Sequence, residues 1–480
     1  MIHHLPFFRF ILRLKNMTKL ETRYVCQNCG RVSIKPLGRC PQCGEWDSMV
    51  EEVVQSSSEG KKKRSTHSTI SKALRLDEIS GENTERWELG ISEFSRVLGG
   101  GIVPGSIVLV GGDPGIGKST LLLQAAMEFA NKRNVLYVSG EESGQQIKMR
   151  AQRLLAKGNS EKPVSFPPHL YLLMETDLDA IFSHAQIVNP QLLVVDSIQT
   201  MAMDAFTSSA GSVTQVRECA SRLREFAKAS GTAVFLIGHV TKEGMIAGPR
   251  VLEHIVDTVL QLEGDRFQSY RILRSMKNRF GPTSEVGVFE MREAGMVEVS
   301  NPSEVFLAER MANTPGSAVA VAMEGTRPLL IEIQGLTSTT NFGNPRRTSN
   351  GVDFNRLLLV VAVLTRRNRL KLFDQDVFVN VVGGFSVDEP ATDLAIATAI
   401  ASSLLDKAVH PELVLIGEVG LSGELRWVSQ MTARLKEAEK MGFTKAIIPQ
   451  RVRKTEKLPT NIEIVEARSL SDAVKSALNQ

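Results

Sequence analysis

Large aromatic side chains are scarce in this sequence, which contains only 3 Trp and 4 Tyr among 480 residues. An aromatic platform on which nucleobases stack, as in an RNA-recognition sheet, is therefore not expected.

Net charge is also small, at +4, but it is unevenly spread. Residues 1–75 carry a net +8 and the remainder a net −4. The front of the chain thus attracts phosphates, and any nucleic-acid contact by the body requires a local basic patch.

Cysteine is also rare, with five residues, and four of them lie within 18 positions. Cys26 and Cys29 form one Cys-x2-Cys pair, and Cys40 and Cys43 form a second pair ten residues later. Two such pairs offer four thiolates to one tetrahedral Zn²⁺. The clustering favours metal binding over disulfides, and hence a reducing, cytoplasmic location. Cys219 stands alone in a helical pattern and is expected to be a core thiol.

No apolar run is long enough to cross a bilayer. The first sixteen residues contain a short apolar run that Arg9 and Arg13 interrupt, and no small-residue cleavage site follows it. We expect Met17 to be the true start and residues 1–23 to be a leader or disordered tail, with no membrane partner. A helix lying on a membrane surface is the alternative.

Composition and periodicity divide the chain into segments. The predicted segments are a zinc ribbon at 24–50, a flexible linker at 51–76, an α/β domain at 77–300, a linker at 301–314 and a second α/β unit at 315–480. In the first α/β domain, strands are predicted at 106–111, 135–139, 169–173, 192–196 and 232–238, with helices beginning near Lys118, Gly144, Leu178 and Val213. After 255 the pattern predicts antiparallel strands. In the second unit, strands are predicted at 317–323, 329–334, 377–382 and 413–416, with helices at 353–366, 391–405 and 430–441.

A glycine-rich phosphate loop lies between the strand SIVLV and the helix KSTLLLQAAMEFA. It fits the pattern G-x4-G-K-S/T in the strand–loop–helix context that the motif requires. Backbone N–H groups and the helix N-terminus would surround the phosphates of ATP, with Lys118 at the β- and γ-phosphates. The predicted ATP-binding residues are Gly112, Asp113, Pro114, Gly115, Ile116, Gly117, Lys118, Ser119 and Thr120.

Acidic residues follow two of the other predicted strands. Asp196 ends the strand LLVV and is expected to hold Mg²⁺ together with Ser119. Glu141 follows the strand VLYVS and is predicted to be the catalytic base, although the adjacent Glu142 could serve instead. His239, at the end of a further strand, is either a γ-phosphate sensor or a core histidine.

Several segments resemble the RecA/DnaB-type ATPase core, namely GGDPGIGKST, LYVSGEES, LLVVDSIQT and HVTKEGMIAGPRVLEHIVDTVLQLEGD. The stretch from Lys277 to Gly281, KNRFG, is similar to the signature of the bacterial RadA (Sms) family. That family joins a RecA-like P-loop ATPase core to a preceding zinc ribbon and a following Lon-protease-like α/β domain. The resemblance implies an ATP hydrolase that uses Mg²⁺, carries one Zn²⁺ and depends on DNA. It further implies a role in DNA repair and homologous recombination, in which a hexameric, DnaB-like ring acts with RecA on single-stranded and branched DNA.

Lys277 and Arg279 are predicted to be catalytic. Two cations one residue apart in a strand point to the same face, from which they could reach the γ-phosphate of a neighbouring subunit's ATP. Arg274 is a third candidate for this role. The alternatives are a DNA-phosphate contact or a solvated basic turn.

Residues 315–480 resemble the proteolytic domain of Lon, on the segments VVGGFSVDEPATDLAIA, GEVGLSGELRWV and RLKEAEKMGFTKAIIP. Lon requires a serine nucleophile and a lysine base. Ala391 and Thr432 occupy those positions here; Thr392 is displaced by one residue from the serine position, and Lys436 lies one helical turn beyond the lysine position. We therefore expect a scaffold without a catalytic dyad. Its candidate phosphate contacts are Arg346, Arg347, Arg366, Arg367, Arg369 and Lys371.

The competing functions for the whole protein are an ATP-driven protease, which the missing dyad disfavours, and a KaiC-type signalling ATPase, which the ribbon and KNRFG disfavour.

Overall fold

The structure of this chain is a computed structural model. It describes residues 20–26, 31–46, 48–55, 86–156, 165–206, 208–238, 250–264, 269–340, 343–383, 386–387, 389–451, 458–459 and 461–478. Among these residues, no helix is both long and apolar enough to cross a membrane. The chain divides into two compact units. The first comprises Met1–Gly90, Gly100–Leu260 and Lys277–Phe280, and the second comprises Ile91–Gly99, Gln261–Met276 and Gly281–Gln480.

The helices are α1 Ser92–Leu98, α2 Lys118–Phe129, α3 Gly144–Leu155, α4 Leu178–Val188, α5 Val213–Ser230, α6 Arg250–Ile255, α7 Pro302–Leu307, α8 Phe354–Arg367, α9 Asp393–Leu405, α10 Met431–Lys440 and α11 Leu470–Leu478. The strands are β1 Leu20–Cys26, β2 Val32–Ser33, β3 Met49–Gln55, β4 Ile107–Gly112, β5 Val135–Ser139, β6 Leu170–Met174, β7 Leu192–Asp196, β8 Ala233–Ile237, β9 Thr258–Glu263, β10 Tyr270–Asn278, β11 Val286–Arg292, β12 Gly295–Glu298, β13 Ser317–Glu324, β14 Arg327–Thr339, β15 Arg347–Asn350, β16 Gln375–Val381, β17 Leu413–Leu415, β18 Glu418–Val419, β19 Leu425–Arg426, β20 Lys445–Pro449 and β21 Glu463–Ala467.

The first unit contains a small antiparallel sheet of order β2-β1-β3. Its strands extend beyond the predicted ribbon, because β1 begins in the predicted tail and β3 ends in the predicted linker. The main part of the first unit has five parallel strands in the order β4-β8-β7-β5-β6. Every residue of β4, β5, β7 and β8 is buried. Continuous apolar runs of this kind are typical of parallel strands covered on both faces. The predicted helices begin where expected, at Lys118, Gly144, Leu178 and Val213.

Strand β9 starts in the first unit and ends in the second. In the second unit, β10 pairs with β11 and β11 with β12, all antiparallel, which confirms the strand-rich pattern predicted after residue 255. Helix α7 follows, capped by the Asn301 side chain, which accepts a hydrogen bond from the backbone N–H of Glu304. Part of the segment 301–314, predicted to be a linker, is therefore helical.

The remainder of the second unit is a mixed seven-stranded sheet of order β15-β16-β14-β13-β17-β20-β21. The helices α8 and α9 begin within two residues of their predicted starts, because Asp353 caps α8 and the short 3₁₀ turn Pro390–Thr392 leads into α9. Ten residues of α9 are buried, so this helix forms the centre of the core. The fold class is thus the predicted one: α/β, with a P-loop core, a ribbon and a second α/β domain.

Candidate nucleotide and metal sites

The phosphate loop connects β4 to α2 through residues with left-handed backbone angles. Gly115 has φ +79° and Gly117, the residue before α2, has φ +113°. Such angles strain any residue with a Cβ atom, which explains the glycines. The turn directs Lys118 into the loop, where its Nζ donates to the carbonyl oxygens of Gly112 at 2.8 Å and Asp113 at 2.9 Å. The structure therefore folds the motif into a closed loop around one lysine.

The Lys118 side chain is buried, with 4% of the residue exposed. Burial lowers the pKa of this ammonium group, and the carboxylates of Asp196, Asp113 and Glu141 oppose that change. Three acids thus act electrostatically on one buried cation. The predicted loop lysine and the two predicted strand-end acids, Asp196 and Glu141, are brought together.

Asp196 lies at the end of β7, adjacent to β5, and only 4% of it is exposed. Its Oδ2 accepts a hydrogen bond from the Tyr137 hydroxyl at 2.7 Å, and the Ser119 side chain also hydrogen-bonds to it. Burial raises the pKa of the Asp196 carboxyl, while these two hydrogen bonds lower it. The hydroxyl and carboxylate oxygens that were predicted to hold Mg²⁺ are therefore in direct contact.

Tyr137 was missed by sequence reasoning. It is buried in β5, and burial together with the Asp196 charge raises its pKa well above the ordinary value. The hydroxyl therefore stays protonated and donates to Asp196. Only the register of β5 against β7, which pairs Tyr137 with Val194, places the hydroxyl there, and the sequence gives no signal for that register.

The two glutamates after β5 have different partners. The Glu141 carboxylate accepts a hydrogen bond from the hydroxyl of Ser197, the residue after Asp196. Glu142 instead forms an ion pair with Arg150 of α3. The Glu142 carboxylate is thus paired with Arg150, whereas the Glu141 carboxylate lies close enough to Asp196 to affect it electrostatically. His239, the sensor candidate, lies outside the described residues.

The KNRFG cations both bind groups of their own chain. The Lys277 Nζ donates to the carbonyl oxygens of Glu253 and Val256, at the C-terminal end of α6. Arg279 lies one residue beyond the end of β10, so the predicted placement of both cations in one strand holds only for Lys277. The Arg279 side chain is 57% exposed, and its Nη1 donates to Asp257 Oδ1 at 3.2 Å.

Arg274, the third candidate, is engaged elsewhere. It forms ion pairs with Glu263 and Glu324. Burial lowers the pKa of its guanidinium, but the hydrogen bonds and charges of the two glutamates outweigh burial and raise it. A guanidinium held between two carboxylates is a structural ion pair, and the geometry does not favour Arg274 as a finger.

Asp257 is a second residue that the sequence did not single out. It precedes β9 and is 2% exposed. Its carboxylate accepts hydrogen bonds from the backbone N–H of Ile107 at 3.2 Å and from Lys228 Nζ at 2.9 Å, in addition to Arg279. The segment before β9 thereby connects the start of the phosphate-loop strand to KNRFG.

Three of the four ribbon cysteines come together. The Sγ atoms of Cys26, Cys40 and Cys43 lie within 4.8 Å of one another, and the Cys26 and Cys43 sulfurs are 3.6 Å apart. Cys29 lies outside the described residues. Three thiols on two turns at this separation fit the donor set of a tetrahedral zinc site. Cys219 is buried in the first unit, and burial raises its pKa to about 12, as expected for a core thiol.

The positions of the Lon dyad hold side chains with other roles. Ala391 is fully buried, and the neighbouring Thr392 donates its hydroxyl to the Glu389 carbonyl at 2.9 Å. Thr432 is the second residue of α10. Two residues later Arg434, also fully buried, forms an ion pair with Glu389 and donates to the Val321 carbonyl at 2.6 Å.

Comparisons with known proteins agree with this architecture. Family models match for "Rubredoxin metal binding domain" at residues 24–51, "AAA domain" at residues 84–245 and "Subunit ChlI of Mg-chelatase" at residues 358–452. The DNA repair protein RadA of Bacillus subtilis is 49% identical over 465 residues, covering 96% of this chain and 100% of that protein. RadA of Listeria monocytogenes is 50% identical, covering 96% and 99% respectively. A solved KaiC-like protein from Pyrococcus horikoshii is 21% identical, covers 45% of this chain and 99% of its own, and has a TM-score of 0.37.

Fold and site together define an ATPase of the RecA-like P-loop class that carries a zinc ribbon and a Lon-like domain. Within that class, the full-length relatives establish the family. The chain belongs to the RadA family of DNA repair proteins.

Proposed function

We propose that this protein is a DNA-dependent ATPase that processes or migrates branched DNA during repair and homologous recombination. The observation that carries the proposal is the convergence of Lys118, Asp196 and Glu141 at one end of the parallel sheet. Nucleotides bind at this edge in open α/β sheets. The names of the full-length relatives, each a DNA repair protein, point to DNA as the partner.

Each residue of the loop cluster has a task in ATP hydrolysis. The backbone N–H groups of the loop residues other than Pro114, together with the start of α2, bind the phosphates. The Lys118 ammonium neutralises charge at the β- and γ-phosphates. We assign the role of base to Glu141, because the Ser197 hydroxyl orients its carboxylate whereas Glu142 is paired with Arg150.

Ser119 and Asp196 are the proposed Mg²⁺ site. Hydroxyl and carboxylate oxygens are ligands that Mg²⁺ prefers, and the two side chains are already hydrogen-bonded to each other. When bound, Mg²⁺ neutralises charge on the phosphates. The Tyr137 hydroxyl fixes the orientation of the Asp196 carboxylate through its other hydrogen bond.

Lys277 and Arg279 are the proposed trans-acting fingers of a homo-oligomeric, hexameric ring. Arg279 is 57% exposed and uses one guanidinium nitrogen for Asp257. Its remaining nitrogens have no hydrogen-bond partner among the residues that the structure describes. An exposed arginine in this position can bind the γ-phosphate of the ATP that a neighbouring subunit holds.

A basic patch in the second unit is the proposed DNA contact. Arg366, Arg367, Arg369 and Lys371 line a depression of about 570 Å³ that has no acidic residue in its wall. Phosphates favour such a surface. Arg347, by contrast, donates to the carbonyl oxygens of Leu372 and Gln375, so it supports the fold instead. We further propose that the protein acts in the cytoplasm, together with RecA, on single-stranded and branched DNA.

Proteolysis is the rejected alternative. Acyl transfer needs a nucleophile and a base, and a buried alanine supplies neither. We infer that the Lon-like domain serves assembly or DNA binding.

ATP turnover measured with and without single-stranded DNA tests the proposal. We expect stimulation by DNA in the wild type and loss of turnover in Lys118→Ala, while Lys132→Ala, an exposed lysine beyond α2, behaves as wild type. Turnover that DNA does not change would contradict a DNA-dependent ATPase. Turnover retained by folded Lys118→Ala protein would contradict the site.

A further inference from the structure

The buried Asp257 carboxylate is shared between cations from two separate elements. Lys228, in the last turn of α5, binds Oδ2 at 2.9 Å, and Arg279 binds Oδ1 at 3.2 Å. Asp257 itself is 2% exposed, while the Lys228 and Arg279 side chains are 52% and 57% exposed. The acid is therefore fixed inside the unit, and both cations reach it from the surface.

We propose that Asp257 and Lys228 are positioning residues for the Arg279 finger. Asp257 holds the guanidinium by one nitrogen and leaves the others directed outward. Lys228 occupies the second carboxylate oxygen, so that Asp257 does not cancel the charge of the finger. This inference rests on the proposed trans-acting role of Arg279.

The charge balance explains why both residues are needed. Without Lys228, the carboxylate and the guanidinium would form a neutral pair with little attraction for a phosphate. Asp257 would also bind Arg279 more tightly, because a buried carboxylate requires a compensating cation. With Lys228 present, the three groups carry a net positive charge, to which neighbouring Lys277 adds.

Hydrogen bonds from backbone N–H groups hold Arg279 and Phe280 of KNRFG in place. The Arg279 N–H donates to the Asp257 carbonyl at 3.2 Å, and the Phe280 N–H donates to Asn278 Oδ1 at 2.9 Å. The Lys228 ammonium also lies 5.9 Å from the centre of the Phe280 ring. Asp257 additionally accepts from the Ile107 N–H, which ties this arrangement to the phosphate-loop strand.

A double-mutant cycle on the full-length protein tests the inference. Lys228→Gln should lower kcat for ATP about tenfold, which corresponds to ~1.4 kcal/mol. KM should change little, because the phosphate loop, which Lys228 does not contact, supplies most of the contacts that bind ATP. Lys228 acts mainly through the Asp257 charge, so Lys228→Gln should have a much smaller effect in an Asp257→Asn background, where only its contact with the Phe280 ring is lost. Asp257→Asn keeps an oxygen for the Ile107 N–H, which preserves the fold.

Lys228→Arg and Arg222→Gln are the matched controls. The first keeps the cation and should retain wild-type kcat; the second removes an exposed charge from the same helix and should change nothing. Equal effects of Lys228→Gln in both backgrounds, a loss confined to KM, or an unchanged kcat would overturn the inference. Arg279→Ala is measured alongside. An unchanged kcat there would overturn the finger itself, whereas a lowered kcat with inert Lys228→Gln would overturn only the positioning role.

Discussion

Replacing either of the two adjacent glutamates, Glu141 and Glu142, should have a different effect. Glu141→Gln should lower kcat by about 10²–10⁴-fold, the usual contribution of a general base. Glu142→Gln breaks the ion pair with Arg150 and should mainly lower stability. The measurements are steady-state turnover, ATP binding and thermal unfolding of both variants. ATP binding should persist in each, and a larger kcat loss in Glu142→Gln would reverse the assignment.

The positions of candidate site residues were predictable where a motif specifies them. Lys118 and Ser119 follow from the loop pattern, and Asp196 follows from its place at a strand end. Tyr137 and Asp257 did not follow, because their roles come from strand register and from long-range ion pairing. A tyrosine within an apolar strand and an aspartate before another strand have many ordinary explanations in sequence alone.

Most of the longer helices and strands could be predicted from the sequence. Strands β4, β5, β7 and β8 are uninterrupted apolar runs, and the predicted starts of α2 to α5 are correct. Short elements such as α1, β15 and the pair β18–β19 were not predicted, because two to seven residues carry too little periodicity. Among the strands, β15 pairs with β16, and β18 and β19 pair with each other.

At the same scale, the ribbon should contain one zinc per chain. Its short segment buries too little apolar surface to fold alone, so the metal should supply the stability. Elemental analysis of protein prepared without chelators should find one zinc per chain, and Cys40→Ser should lower that content.

Chelation provides the control for the zinc prediction. It should expose the ribbon thiols to an alkylating reagent at pH 8, whereas Cys219 should remain unreactive, because its thiol is buried and has a pKa of about 12. Zinc-free protein with an ordered ribbon would contradict this prediction.

Across the whole molecule, the basic patch should dominate the salt dependence of DNA binding. Arg366→Glu combined with Arg369→Glu should weaken binding to every sequence equally. It should also reduce the slope of log K against log [salt] by about one per lost phosphate contact. Lys440→Glu, which changes an exposed lysine outside the patch, is the matched control. An unchanged slope in the double variant would place the DNA contact elsewhere.

Ring assembly gives the second prediction at this scale. Lys118→Ala and Arg279→Ala should each be nearly inactive, yet their mixture should recover part of the ATPase activity. Mixed rings contain some interfaces with an intact loop from one chain and an intact finger from its neighbour. Native mass spectrometry should first establish that mixed rings form. If they form and activity stays absent, Arg279 does not act in trans.

The ion pair between the fully buried Arg434 and the partly exposed Glu389 constrains the centre of the Lon-like domain. Glu389 lies two residues before Ala391, and Arg434 lies two residues after Thr432, so the pair joins the two chain segments that would carry a Lon dyad. Removing Glu389 would leave the fully buried Arg434 without its counter-ion, which typically costs about 3–5 kcal/mol. Placing serine at position 391 and lysine at position 432 would leave the Arg434–Glu389 ion pair in place between the two segments. Substitutions on the surface of this domain should therefore be tolerated more readily than any change at this pair.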